Sequence, residues 1–169
     1  VYDAECYMMT AFGGSGSGNQ NGTFKQITAL DVLDNGKKII VADSLKLTLT
    51  VFCETEYGAE LKAAQKLTLD GDYAASAEKW EKIIRQDKNC QLAYIGLSKA
   101  ALSRREYKLA ADYAKQGLDK TLYSKAFNYN RKAFLKDNFN LVMTVFLLVV
   151  ALIAAFAVFA RKKRLTLIK

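Results

Sequence analysis

The pattern of hydrophobic and polar positions changes twice along the chain. Residues 27–52 alternate between apolar and polar side chains in short, β-branched runs. From residue 57 the apolar positions recur every three or four residues, which is the spacing of one helix face. Residues 141–160 then form twenty consecutive residues without a charge. The pattern therefore predicts a β region, a helical region and one long apolar helix.

We expect four strands in the β region. Asn35 and Gly36 lie between apolar runs, and an Asn-Gly pair there is typical of a hairpin, since both turn residues must accept positive φ. Residues 12–24 read FGGSGSGNQNGTF, and a phosphate-binding glycine loop would need a helix directly after it. Because a strand pattern follows instead, we interpret this stretch as a connection between strands. The expected strands are Tyr7–Phe12, Ile27–Leu33, Lys38–Ala42 and Leu47–Phe52.

The β region resembles one blade of an NHL-repeat β-propeller. The resemblance rests on a Phe-Gly end, a glycine-rich connection, a hydrophobic-Asp strand, Val-Ala-Asp and a closing Val-Phe. It implies that residues 1–56 are the end of a propeller and that about five more blades precede them. One blade alone would leave its strand edges and apolar faces exposed. The matching residues are Asp31, Asp34, Gly36, Val41, Ala42, Asp43, Val51 and Phe52.

The helical region shows an internal repeat. Tyr73 and Tyr107 are 34 residues apart, as are Ala77 and Ala111, and a period of 34 is typical of tetratricopeptide repeats. Residues 57–136 resemble such repeats, with Trp80 expected in their core. The resemblance implies a concave face, lined by the first helix of each repeat, that binds a peptide. Its candidate groove residues are Leu61, Gln65, Leu92, Ile95, Lys99 and Leu102.

Lys99 has two interpretations within that groove. It is either the charged anchor for a carboxylate or acidic peptide, or a solvated lysine on the helix surface. The basic residues of the helical region are spread over helix surfaces and form no recognisable nucleic-acid module, so we expect no nucleic-acid partner.

The apolar run predicts a transmembrane helix over residues 141–160. At 1.5 Å per residue, twenty residues span about 30 Å, the thickness of the hydrocarbon core of a bilayer. Residues 161–169 form a basic tail, and positive flanks tend to remain in the cytoplasm. We therefore expect the tail inside and the bulk outside; the alternative is a tail-anchored chain facing the cytosol. The topology residues are Arg161, Lys162, Lys163 and Arg164.

The composition of the chain limits the kinds of reaction and ligand that it could support. The net charge of +8 divides into −3 over residues 1–58, +6 over 59–140 and +5 over the tail, as expected of separate modules.

The chain has no histidine, which excludes Ser-His-Asp, Cys-His and HExxH mechanisms within it. Its three cysteines show no CxxC spacing, and we interpret them as small buried hydrophobes. We predict no catalytic residue, metal ligand or cofactor. Three aspartates could be read as a calcium cluster: Asp31, Asp34 and Asp43. We interpret them instead as acceptors of hydrogen bonds from local backbone N–H groups, which is common for acidic residues at turns and strand ends.

The sequence thus predicts a multi-domain membrane protein: a β-propeller blade fragment, an α-helical tetratricopeptide-like array (residues 57–136) and a single transmembrane helix. The expected function is a non-enzymatic, extracytoplasmic scaffold in the cell membrane, an accessory subunit of a transporter-like complex whose partners are other proteins and the bilayer. One alternative is a cytosolic adaptor anchored by its tail. Another is a propeller lyase whose active site lies in upstream blades.

Overall fold

The computed structural model describes residues 1–16, 18 and 20–166, with the backbone alone described for residues 158–166. A small β region is followed by five α-helices and a sixth, apolar helix. The strands are β1 (Gly14–Ser15), β2 (Thr23–Phe24), β3 (Ile27–Leu33), β4 (Lys38–Asp43) and β5 (Thr48–Cys53). The helices are α1 (Glu56–Leu69), α2 (Tyr73–Gln86), α3 (Gln91–Ser103), α4 (Tyr107–Gln116), α5 (Lys120–Asp137) and α6 (Phe139–Thr166).

Strands β3, β4 and β5 form an antiparallel sheet in sequence order, as the alternation predicts. The turn between β3 and β4 has φ of 55° at Asn35 and 85° at Gly36, which confirms the conformation expected of an Asn-Gly turn. The glycine-rich stretch leads into the short strand β2, which pairs in parallel with β1, and no helix follows it.

The expected strand Tyr7–Phe12 is wrong. Residues 1–10 instead form a tight loop, here called the N-terminal loop, with one antiparallel bridge between Tyr2 and Met8. The Asp3 carboxylate accepts the backbone N–H groups of Glu5 at 2.9 Å and Tyr7 at 2.8 Å, and Cys6 has a φ of 67°. A side chain that binds its own backbone competes with strand pairing, and here it turns the chain back on itself.

Asp43 at the end of β4 stabilises the β region through backbone hydrogen bonds. Its carboxylate is 2% exposed and accepts N–H groups on both sides: Lys25 at 2.6 Å and Gln26 at 3.3 Å, then Leu45 at 3.0 Å and Lys46 at 2.9 Å. Burial acts to raise its pKa, but the four N–H donors outweigh that effect and lower the pKa below its ordinary value.

Helices α1 to α5 form an array in which each packs on the next, while α3 also contacts α1 and α5. Close packing rests on small side chains, with Ala64, Ala110 and Ser98 fully buried. The Ser98 hydroxyl donates to the Ala110 carbonyl at 2.7 Å across the α3–α4 interface. Trp80 is fully buried, as expected, and its Nε1 donates to the Thr68 hydroxyl at 2.8 Å. The array therefore has a continuous core of its own.

The apolar helix starts one residue after the array ends. Asn138 separates α5 from α6 and donates its side-chain amide to the Phe134 carbonyl at 3.0 Å. Over Phe139–Ala157 the helix is long and apolar enough, by length and composition, to cross a membrane, and none of that span is buried in the protein. The backbone stays helical as far as Thr166, while the basic side chains at 161–164 lie outside the described residues.

Candidate binding groove on the helical array

The candidate site lies where α1, α3 and the start of α5 meet the N-terminal loop. The loop is closed by its own backbone: Asp3 N–H donates to the Tyr7 carbonyl at 3.0 Å, and Met9 N–H donates to the Val1 carbonyl at 3.0 Å. These bonds add to those that the Asp3 side chain accepts. Residues 3–7 are therefore held in one shape before any contact with the helices is counted.

Three loop side chains bind three different helices. Asp3 Oδ2 accepts from Gln65 Nε2 of α1 at 2.5 Å. Glu5 forms an ion pair with Lys99 of α3. The Tyr7 hydroxyl donates to Asp119 Oδ2, at the N-terminus of α5, at 2.6 Å. The loop thus contacts α1 and α3, which carry the expected groove residues, and also the start of α5, with two carboxylates and one phenol.

The ring of Tyr7 supplies the apolar part of the contact. It packs between the core around Leu61 and Leu92 and a smaller cluster around Ile95 and Leu122. Lys99 Nζ lies 5.4 Å from the centroid of the same ring, within the range of a cation–π interaction. Lys99 therefore has a carboxylate and an aromatic face of the same chain as partners.

Electrostatics favour the neutral phenol in the groove. The hydrogen bond to Asp119, partial burial and the nearby carboxylates of Asp119, Glu5 and Asp3 raise the pKa of Tyr7 well above its ordinary value. A tyrosine is ordinarily neutral at physiological pH, and the raised pKa keeps the Tyr7 hydroxyl a hydrogen-bond donor in more alkaline solution as well. Asp119 is itself fixed, because its Oδ1 accepts the Leu122 N–H at 2.8 Å as the N-cap of α5 while Oδ2 accepts from Tyr7.

The six groove residues expected from the sequence lie in different parts of this site. Gln65 and Lys99 bind the loop directly, and Ile95 belongs to the apolar cluster that contacts Tyr7. Leu61 and Leu92 are 3% and 4% exposed and belong to the array core, against which Tyr7 and Met9 pack. Leu102 is half-buried beside the clusters of Ile95 and Ala101.

Sequence reasoning missed Asp119 and the loop itself. Asp119 carries a local signal, because an aspartate directly before a helical pattern is a typical N-cap. Nothing local indicates that its second oxygen accepts from a tyrosine 112 positions earlier. Asp3 and Glu5 carry no signal beyond negative charge near the start of a basic helical region.

A second connection joins the β region to the array. Lys62 of α1 donates to the Gly36 carbonyl at 2.7 Å in the β3–β4 turn and pairs with Glu54 at 2.9 Å, just after β5. The β region is therefore bound to α1 at its turn, while the N-terminal loop is bound to α1, α3 and α5.

The aspartates considered for calcium have separate roles. Asp43 binds backbone N–H groups, Asp34 pairs with Lys38 at 2.7 Å, and Asp31 accepts the Val32 N–H at 2.8 Å. Among the described residues, no group of three or more His, Cys, Asp or Glu side chains is arranged to hold a metal ion. The cysteines are free; Cys6 and Cys53 are exposed rather than buried as expected, and Cys90 is half-buried.

No family model, curated protein or solved structure matches this chain. Its function is therefore inferred from the groove and from the apolar helix.

Proposed function

We propose that this chain is a membrane-anchored scaffold that holds a protein partner outside the cytoplasm, close to the bilayer, as an accessory subunit of a transporter-like membrane complex. The observation that carries the proposal is α6: an apolar helix, unburied from Phe139 to Ala157, that begins one residue after a well-packed helical array. The array is then held at the membrane surface by its own last helix.

The exposure of α6 supports a lipid environment. Nineteen residues at 1.5 Å each give about 28 Å, close to the thickness of the hydrocarbon core. Side chains such as Leu152, Ile153 and Phe156 are 70%, 64% and 75% exposed. A continuous apolar surface of this kind is unfavourable in water and is typical of contact with lipid or with another protein.

The charge distribution supports the orientation. Arg161, Lys162, Lys163 and Arg164 follow the apolar run directly. The basic residues on the other side belong to a folded domain, and large domains translocate largely regardless of their charge. The basic tail therefore lies in the cytoplasm in this proposal, and the array and β region lie outside.

A binding role suits the groove better than catalysis. Its polar groups, Gln65, Lys99 and Asp119, are arranged around an aromatic side chain and two carboxylates, which is an arrangement for recognition. The tetratricopeptide-like nature of the array remains part of the proposal; α2 and α4 begin 34 residues apart, and small side chains lie at the helix contacts. The origin of residues 1–56 as a propeller end likewise remains a proposal.

Cysteine labelling in intact cells tests the orientation. All three cysteines are changed to serine, and a single cysteine is introduced at Thr166 in the tail or at Ser103, which is exposed at the end of α3. A membrane-impermeant thiol reagent should label Ser103→Cys and leave Thr166→Cys unlabelled until the cells are permeabilised. The reverse pattern would replace the surface scaffold with the tail-anchored cytosolic adaptor. Release of the chain from membranes by alkaline carbonate would contradict the transmembrane anchor itself.

A further inference from the structure

We propose that the groove is a receptor for a tight loop carrying two carboxylates and a phenol, and that residues 3–7 of the same chain are its displaceable intramolecular occupant. A protein partner would then reach the groove by presenting the same pattern and displacing the N-terminal loop. The inference rests on the binding role proposed above and adds the chemistry of the ligand and the means by which access is controlled.

The contacts of the loop are those of a ligand. They join residues 62, 94 and 112 positions apart, so they depend on tertiary structure rather than on chain proximity. Asp3 holds the loop through the N–H groups of Glu5 and Tyr7 while its other oxygen accepts from Gln65. Such preorganisation lowers the conformational entropy lost on binding, which favours a short loop as a ligand.

Charge complementarity agrees with this assignment. Residues 1–58 carry a net charge of −3, whereas residues 59–140 carry +6. Within the contact, Glu5 faces Lys99, and Lys99 also lies over the Tyr7 ring. Complementary charge of this kind favours specificity for one class of partner over others. A partner that competes with the loop would have to present the pattern Asp-x-Glu-x-Tyr on a turn.

The occupant is displaceable because its contacts are mostly polar and partly exposed. The side chain of Glu5 is 42% exposed, and ion pairs open to solvent contribute little to stability. Tyr7 and Met9 are only half-buried, whereas Trp80 and Ile83 in the array are completely buried. Release of the loop would therefore leave the core of the array intact.

An intramolecular occupant lowers the apparent affinity for any competitor. The apparent dissociation constant rises in inverse proportion to the fraction of time that the groove is free, so a loop bound about 99% of the time weakens a competitor about 100-fold. Variants that release the loop should correspondingly strengthen binding of a competitor supplied in trans.

The test uses the full chain in lipid nanodiscs and a fluorescent peptide with the sequence of residues 1–10, in which Cys6 is replaced by serine. Backbone cyclisation of the peptide is compatible with the native shape, because the Val1 nitrogen lies 2.9 Å from the Thr10 carbonyl oxygen. A loop-released variant carries Tyr7→Ala and Glu5→Gln. We expect it to bind the peptide at least about tenfold more tightly than the unaltered chain does.

Two controls identify the site. Tyr2→Ala removes a tyrosine of the same loop that is 67% exposed, and it should leave peptide binding as weak as in the unaltered chain. Lys99→Met added to the loop-released variant should weaken peptide binding again by about threefold to tenfold, because it removes both the partner of the peptide's glutamate and the cation over its tyrosine ring. A spin label at Cys6, attached in a background in which Cys53 and Cys90 are changed to serine, should become more mobile in the loop-released variant and confirm that the loop has left the groove.

Each other outcome overturns the proposal. Equal peptide affinity for the unaltered and loop-released chains would show that the loop does not occupy the groove. Failure of the loop-released chain to bind, with the spin label at Cys6 mobile and the array still folded, would show that the groove is not a receptor. Binding that Lys99→Met does not weaken would place the peptide elsewhere. Cysteine labelling is measured separately, so failure of the membrane orientation leaves these results distinguishable.

Discussion

The β region and the helical array are held together in different ways. The sheet is stabilised by polar groups: the Asp43 carboxylate binds four backbone N–H groups, and the Lys46 ammonium donates to the carbonyl oxygens of Gly18 at 2.7 Å and Thr23 at 2.8 Å. Every residue of β3 is exposed, including Leu30 and Val32. The array is stabilised by a fully buried Trp80 and Ile83 among small side chains.

This difference indicates which region folds by itself. Apolar burial is the main favourable contribution to folding, and the array has much more of it: the β region buries only Phe24 and Val41 among its described apolar side chains and leaves those of β3 exposed. The β region therefore depends more on its polar contacts, including those with α1 through Lys62. Three predictions test this comparison, from the largest expected effect to the smallest.

The array should depend strongly on Trp80. Because the side chain is completely buried, Trp80→Ala should lower the free energy of unfolding by about 3–5 kcal/mol, through lost apolar burial and the cavity left behind. Urea unfolding followed by far-UV circular dichroism measures the change. Tyr123→Ala, at an aromatic residue of α5 that is 39% exposed, is the matched control and should cost far less. A loss below about 1 kcal/mol at Trp80 would contradict its place in the core.

Gly96 should tolerate no added methyl group. A Cβ built at this position would lie 2.1 Å from Trp80 Nε1, and the rigid indole cannot move without disturbing the core. Gly96→Ala should therefore destabilise the array by about 1–3 kcal/mol, although alanine is the better helix former. Gly58→Ala is the control, since its Cβ would make only ordinary contacts in α1. Equal effects at both glycines, measured by thermal unfolding, would refute the close approach of α3 to Trp80.

The sheet should loosen in acid before the array does. The pKa of Asp43 is lowered in the folded chain, so its stabilising contribution is present above its unfolded value and is lost as pH falls through the folded pKa, below about pH 4. Hydrogen exchange at the amides of Lys25, Gln26, Leu45 and Lys46 should then quicken, with Trp80 still buried. Asp43→Asn should reproduce this change at neutral pH, because its amide nitrogen cannot accept hydrogen bonds.

Asp31→Asn is the matched control for Asp43. Asp31 is exposed and accepts only the Val32 N–H among the described contacts, so its substitution should leave those four amides protected. Simultaneous loss of protection in sheet and array at acid pH would show that the two regions unfold as one unit and would contradict the comparison.

The local pattern of the sequence was sufficient to predict the elements that depend on neighbouring residues. Strand Ile27–Leu33 has the predicted bounds, the Asn-Gly turn has the predicted φ angles, and the apolar run lies within one helix. The place of Trp80 also followed from sequence, because the spacing of apolar residues on a helix shows which face is buried. Alternation, turn chemistry and helical periodicity are all properties of neighbouring residues.

The N-terminal loop and the composition of the groove were decided only by tertiary structure. Tyr7–Phe12 is a mostly apolar run of strand length, yet Asp3 binds the Glu5 and Tyr7 amides, and Tyr7 and Met9 pack against the helices instead. The sequence indicated Gln65 and Lys99 as groove candidates but could not supply their partners within the chain, which lie 62 and 94 residues away. Such contacts carry no periodic signal along the chain, because they arise only after the helices have packed and brought Gln65, Lys99 and Asp119 to one surface.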